Sequence, residues 1–142
     1  LAADLLLAGS EPARLHFTVA ACGLAAFLGH LYPVYLRFKG GKGVATACGV
    51  MLALEPIIIP ILLLVFAGVV ALSRFVSLGS LASALVLPLL LLGVNSLVRP
   101  VPLAVMALGF IMAVFVFLKH RANIARLLNG TENKIGGKKT AP

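Results

Sequence analysis

The chemistry available to this sequence is concentrated in three short polar stretches. The first is Phe38-Lys39-Gly40-Gly41-Lys42-Gly43-Val44-Ala45-Thr46, three glycines interleaved with two lysines and leading into an apolar segment. Glycine lets a backbone approach a ligand closely and adopt positive φ. A helix opening at Val44 turns its first N–H groups and positive dipole end toward an anion, and Lys39 and Lys42 add charge. Lys39, Gly40, Gly41, Lys42 and Gly43 together read as a phosphate cradle. The loop is not a nucleotide P-loop, because the GxxxxGK[ST] spacing is absent. The plainer alternative is a flexible basic loop that only marks one side of a membrane.

The second stretch is His120-Arg121-Ala122-Asn123-Ile124-Ala125-Arg126, followed by Gly130-Thr131-Glu132. At 100° per residue, Asn123 lies about 60° round a helix from His120, and Arg126 about 60° further. His, Asn and Arg in one sector can move a proton, orient a hydroxyl and fork a phosphate. An interfacial amphipathic helix anchored by basic residues is the plainer reading. The third stretch, Ser73-Arg74-Phe75-Val76-Ser77-Leu78-Gly79-Ser80, puts hydroxyls and one Arg near a helix start. Ser73 or Ser77 reads there as an N-cap, and Gly79, Ser80 and Ser83 as small residues for close helix packing. No Ser-His-Asp triad can be assembled. Cys22 and Cys48 lie in apolar runs without metal-ligand spacing, so no metal site is expected.

What must position these stretches is a membrane. Of 142 residues, 61% are hydrophobic and 11% charged, against about 25% charged in an ordinary soluble domain. A soluble domain of this size cannot bury so much apolar surface. The expected fold is all-α: a polytopic integral membrane helix bundle of about five hydrophobic helices, some of them short. Leu15–Leu36, Pro56–Leu72, Val76–Val94 and Leu103–Leu118 read as spans, with a short apolar run at Val44–Leu54. Ser10–Arg14 reads as a polar turn and Glu55 as a solvated loop residue. His30, in the last part of the first span, is a functional candidate as an ionisable residue inside the membrane, and equally a structural one whose hydrogen bond would hold the following loop.

Charge sets the topology. Twelve Lys+Arg against four Asp+Glu give +8, and because the basic residues sit in short loops they reflect membrane orientation rather than nucleic-acid binding. If Val44–Leu72 is two helices, ten of the twelve share one side: Arg37, Lys39, Lys42, Arg74, Lys119, Arg121, Arg126, Lys134, Lys138 and Lys139. Arg14 and Arg99 fall on the other. One continuous helix would split the ten across the membrane, so the two-helix reading is preferred, with the basic side cytoplasmic.

Gly29-His30-x-x-Pro33, the glycine–lysine loop and His120-x-x-Asn123-Ile124-x-Arg126-Leu127-x-x-Gly130-x-Glu132 together resemble the PlsY family, bacterial membrane glycerol-3-phosphate acyltransferases that use acyl phosphate. The resemblance covers about Gly29 to Lys134. It implies acyl transfer from acyl phosphate to glycerol 3-phosphate, giving lysophosphatidic acid without an acyl-enzyme or a cofactor, at the cytoplasmic face of the bacterial inner membrane. It further implies that Lys39, Lys42 and the glycine backbone hold phosphate. His120 and Asn123 then orient glycerol 3-phosphate, Arg126 and Glu132 complete or brace the site, and Ser73 and Ser77 are polar contacts. The partners implied are the two phosphorylated substrates and membrane lipid. A transporter for an anionic phosphorylated metabolite is the alternative, which expects polar groups reaching the midplane from both sides. The chain is expected to be one membrane domain, residues 1–118 helical in the bilayer and 119–142 a basic cytoplasmic segment. The family's N-terminal motif has no match here, so part of the domain is expected to precede Leu1.

Overall fold

A computed structural model describes residues 2–136, with side chains from residue 13 onward. Five apolar helices form the bundle: α1 (Ala2–Leu31), α2 (Val44–Leu54), α3 (Ile59–Ser73), α4 (Val76–Leu97) and α5 (Leu103–Lys119). A sixth, α6 (Arg121–Leu128), follows at a 56° bend. No strand occurs among the described residues, and the fold is the expected all-α membrane bundle. Among the described residues, three helices are long and apolar enough to cross a bilayer, or four if α5 and α6 count as one span.

The polar turn expected at Ser10–Arg14 does not form, because α1 runs through it without a break. Glu, Ala and Arg are good helix formers. Pro33 does end α1, and a single 3-10 turn follows at Val34–Leu36. The break at Glu55–Pro56 separates α2 from α3 through a second 3-10 turn at Pro56–Ile58. Lys42 ahead of α2 and Ser77 just beyond α3 reach one cavity, so the chain reverses at Glu55, as the two-helix reading requires. The loops bearing Arg37–Gly43 and Ser73–Phe75 therefore share one end of the bundle with Lys119–Ile135. Lys138, Lys139 and the rest of the tail lie outside the described residues.

Fully buried Phe27 and Leu31 of α1, Met51 of α2, Leu91 of α4 and Met112 of α5 form the core. Phe115 meets Phe27 edge-on at 6.4 Å between ring centroids, a preferred aromatic geometry. Two polar ties lock the ends. Lys119 donates to the Leu31 carbonyl at 2.8 Å and lies 3.9 Å above the Tyr32 ring, so a residue counted as a topology marker also caps α1. At the opposite end Glu55 is not solvated. It is 1% exposed and accepts from Arg99 Nη2 at 2.7 Å. A carboxylate buried there without its partner would be strongly destabilising, and the pair pins the α2–α3 reversal to the α4–α5 loop.

Candidate active site

Glu132 is the centre of the polar end. Its Oε1 accepts from Ser77 Oγ at 2.8 Å and from Asn123 Nδ2 at 2.6 Å, and its Oε2 accepts from Arg126 Nε at 2.6 Å. The carboxylate thus joins α4, α6 and the segment after α6. Its side chain is only 6% exposed. Burial pushes its pKa up, but the bonds from Asn123, Ser77 and Arg126 and the Arg126 charge outweigh this. The net effect holds it below the usual carboxylate range, so it is a firm anion at neutral pH.

His120 sits where α5 ends and α6 begins, 1% exposed. Burial lowers its pKa. The Val116 carbonyl bond opposes this, the Lys42 charge lowers the pKa further, and Glu132 raises it. Because burial prevails, the ring is neutral near pH 7. Its Nδ1 lies 2.8 Å from the Val116 carbonyl, which can only accept, so Nδ1 carries the proton and Nε2 keeps a lone pair.

Two cavities meet at this end. One, of about 550 Å³, is lined by Lys42, Ser77, Ser80, His120, Asn123, Glu132, Asn133 and Lys134, among others. The other, of about 360 Å³, is walled by apolar side chains of α2, α3, α4 and α5, including Cys48, Met51, Leu62, Phe66, Leu87 and Met112. Val44, Val76 and Ser80 line both. A polar, basic chamber therefore opens onto an apolar groove, the arrangement that an amphiphile with a charged head and a hydrocarbon tail requires.

Of the residues singled out in the sequence, Lys42, Ser77, His120, Asn123 and Glu132 line the polar chamber. Arg126 does not line it and braces Glu132 instead. Ser73 bonds the Val69 carbonyl and accepts from the Phe75 amide, a local turn. Lys39 is exposed and, like Gly40, Gly41, Gly43 and His30, stands apart from the chamber wall. The glycines face α1. The Gly41 amide donates to the His30 carbonyl at 3.2 Å, and Gly43, at φ +82°, packs against Phe27 and Leu31. Close backbone approach is used here, but toward α1. Asn133 and Lys134 line the chamber as well. In the sequence they belong to a tail that reads only as basic, and no spacing rule marks them.

A Cβ at Gly41 would collide with Nε2 of His30. The His30 side chain is exposed and can swing aside, so Gly41→Ala should lower the thermal stability of the detergent-solubilised protein by less than the about 1–3 kcal/mol of overpacking a core. Gly41→Ala/His30→Ala should show less loss than the two single changes added together. Strict additivity would mean that the ring and the loop do not bear on one another.

A sequence model of the family described as glycerol-3-phosphate acyltransferase matches residues 2–130. A curated relative of that name from Geobacter sulfurreducens is 49% identical over 116 residues, 82% of this chain and 57% of the relative. One from Syntrophomonas wolfei is 46% identical over 117 residues, again 82% and 57%. The crystal structure of PlsY, an integral membrane glycerol 3-phosphate acyltransferase, in its glycerol 3-phosphate form superposes with a TM-score of 0.78. It is 37% identical, over 83% of this chain and 56% of that one. Its lysophosphatidic acid form gives a TM-score of 0.73 at 39% identity, over 78% of this chain and 54% of that one. The chain spans little more than half the length of the curated relatives it matches first. A bundle with a basic chamber above an apolar groove, this family match and this level of identity lead to one conclusion: the chain belongs to the glycerol-3-phosphate acyltransferase family.

Proposed function

We propose that the protein of which this chain forms part transfers a fatty acyl group from acyl phosphate to glycerol 3-phosphate, releasing lysophosphatidic acid and inorganic phosphate. The observation that carries this reading is the junction of the two cavities at Val44, Val76 and Ser80. The acyl chain would lie in the groove and bring its mixed anhydride to the mouth, while glycerol 3-phosphate enters the chamber from water. The acceptor's hydroxyl oxygen then attacks the acyl carbonyl carbon, the bond from that carbon to the phosphate oxygen breaks, and inorganic phosphate leaves.

The hydroxyl proton has two chemically competent acceptors, Nε2 of neutral His120 and an oxygen of the departing phosphate. Asn123, held by Glu132, would orient the acceptor, and Lys42 would offset phosphate charge. Ser77 gives its hydroxyl hydrogen to Glu132, whose lowered pKa makes it a weak base, so direct transfer suits these residues better than an acyl-serine. By the positive-inside rule the chamber end faces the cytoplasm of a bacterial inner membrane.

The test is an acyl-transfer assay on the full-length enzyme with acyl phosphate and acyl-CoA as separate donors. Acyl phosphate should support transfer to glycerol 3-phosphate, and EDTA should leave the rate unchanged. Turnover with acyl-CoA and none with acyl phosphate would overturn the donor assignment. Loss with EDTA that an added divalent metal restores would overturn the metal-free chemistry.

A further inference from the structure

The proposed reaction, on which this inference rests, brings two phosphates into one chamber. Each carries roughly −1.5 to −2 near neutral pH, as phosphomonoesters do, and two such anions repel unless cations lie between or beside them. Of the eight described cations at this end, three are already engaged. Arg126 is paired with Glu132, Arg74 Nε donates to the Ile135 carbonyl and Lys119 donates to the Leu31 carbonyl. Among the described residues, the basic side chains in the chamber wall are Lys42 and Lys134.

Lys134 is also held in place. Two residues before it, Glu132 receives three hydrogen bonds. One residue after it, Ile135 donates its amide to the Arg74 carbonyl at 2.8 Å and accepts from Arg74 Nε at 3.0 Å. The strap is thus fixed on both sides of position 134 against the α3–α4 turn. The Lys134 ammonium lies 5.3 Å from the Phe75 ring centroid, within cation–π range. Lys134 is exposed, but a lysine with an anchored backbone and an aromatic rest is more pre-organised than one on a free loop, so less entropy is lost when it takes up an anion.

We propose that Lys134 is a second phosphate-binding residue, which holds one substrate phosphate while Lys42 holds the other. Lys42 comes from the loop ahead of α2 and Lys134 from the strap beyond α6, so the two charges reach the chamber from different elements. This division keeps two like-charged substrates apart while their reacting ends meet at the groove mouth.

The experiment is steady-state kinetics on the full-length enzyme, varying each substrate in turn, for wild type, Lys134→Gln, Lys134→Arg and Phe75→Leu. Acyl transfer by wild type tests the functional reading, and its failure would be seen before any variant is compared. Given wild-type turnover, Lys134→Gln should raise the KM for one phosphorylated substrate roughly ten- to a hundredfold, as loss of a charge-assisted hydrogen bond predicts. Its kcat and thermal stability should stay near wild type. Lys134→Arg should recover part of the loss because it keeps the charge, and Phe75→Leu should raise the same KM by a smaller factor. Unchanged KM values for both substrates in Lys134→Gln would overturn the proposal. So would a fall confined to kcat, or one that tracks lost stability, since either would make the strap a structural tie alone.

Discussion

Glu132→Gln should lower the kcat/KM of the intact enzyme by about ten- to a hundredfold. The glutamine oxygen can still accept from Ser77 and Asn123, but its amide would face Arg126 with donor against donor. The lost charge-assisted bond is worth about 1.5–3 kcal/mol of stability, and the rate falls by about a decade for each 1.4 kcal/mol by which a loosened hub misplaces Asn123 in the transition state. Glu132→Ala should do more harm. It removes the acceptor from Ser77 and Asn123 together and frees α6 from α4, so thermal stability should fall along with activity. The acid limb of stability carries the same signature. Because the folded-state pKa of Glu132 lies below its unfolded value, its stabilisation is complete above the unfolded pKa, about 4.3. It is lost as pH falls through the folded value. Wild type should therefore lose part of its advantage over Glu132→Gln in thermal melts taken at successively more acid pH. A Glu132→Gln enzyme with wild-type kinetics would remove the carboxylate hub from the mechanism.

Lys42→Gln should cost a similar ten- to a hundredfold in kcat/KM. The competing account is that Lys42 only marks the cytoplasmic side, in which case the change is nearly silent because nine basic residues remain there. A compact ammonium facing a phosphate is poorly replaced by a planar guanidinium, so Lys42→Arg should be impaired too. The pH profile adds an independent readout. The Lys42 charge helps to lower the pKa of His120, so removing it lets that pKa rise. If activity needs the neutral ring, the acid limb of the rate profile in Lys42→Gln moves to higher pH. Steady-state kinetics, after confirming membrane insertion, decide between the accounts. Near wild-type efficiency in both variants would reduce the loop to a topological turn.

Hydropathy, charge asymmetry and helical spacing are local properties of the chain, and what depends on them was legible in the residues. The excess of apolar side chains demands a lipid-facing bundle. The break at Glu55–Pro56 and the distribution of lysines and arginines demand two antiparallel helices between Val44 and Ser73. The three-residue spacing of His120, Asn123 and Arg126 places them on one sector, and Asn123 and Arg126 do converge, on Glu132. The glycine–lysine loop was legible as a backbone built for close approach, though not in which direction.

The rest depended on partners far apart in the chain. Glu55 meets Arg99 across 44 residues, and Ser77 meets Glu132 across 55. No periodicity reports such pairs, so Glu55 read as a solvated turn, and Glu132 was marked only by the family resemblance, as completing or bracing the site with Arg126. The continuity of α1 through Ser10–Arg14 was hidden for another reason: Ser10 and Pro12 suggest a turn, while Glu11, Ala13 and Arg14 favour the helix that forms. Lys119 and Lys134 read as generic positive charge, because charge alone does not say which carbonyl, ring or cavity it faces. The sequence by itself determined a membrane bundle with its chemistry gathered at one end. Only the tertiary structure decided which polar groups share a chamber, since that follows from how α4, α5 and α6 pack and from where the strap after α6 is tied.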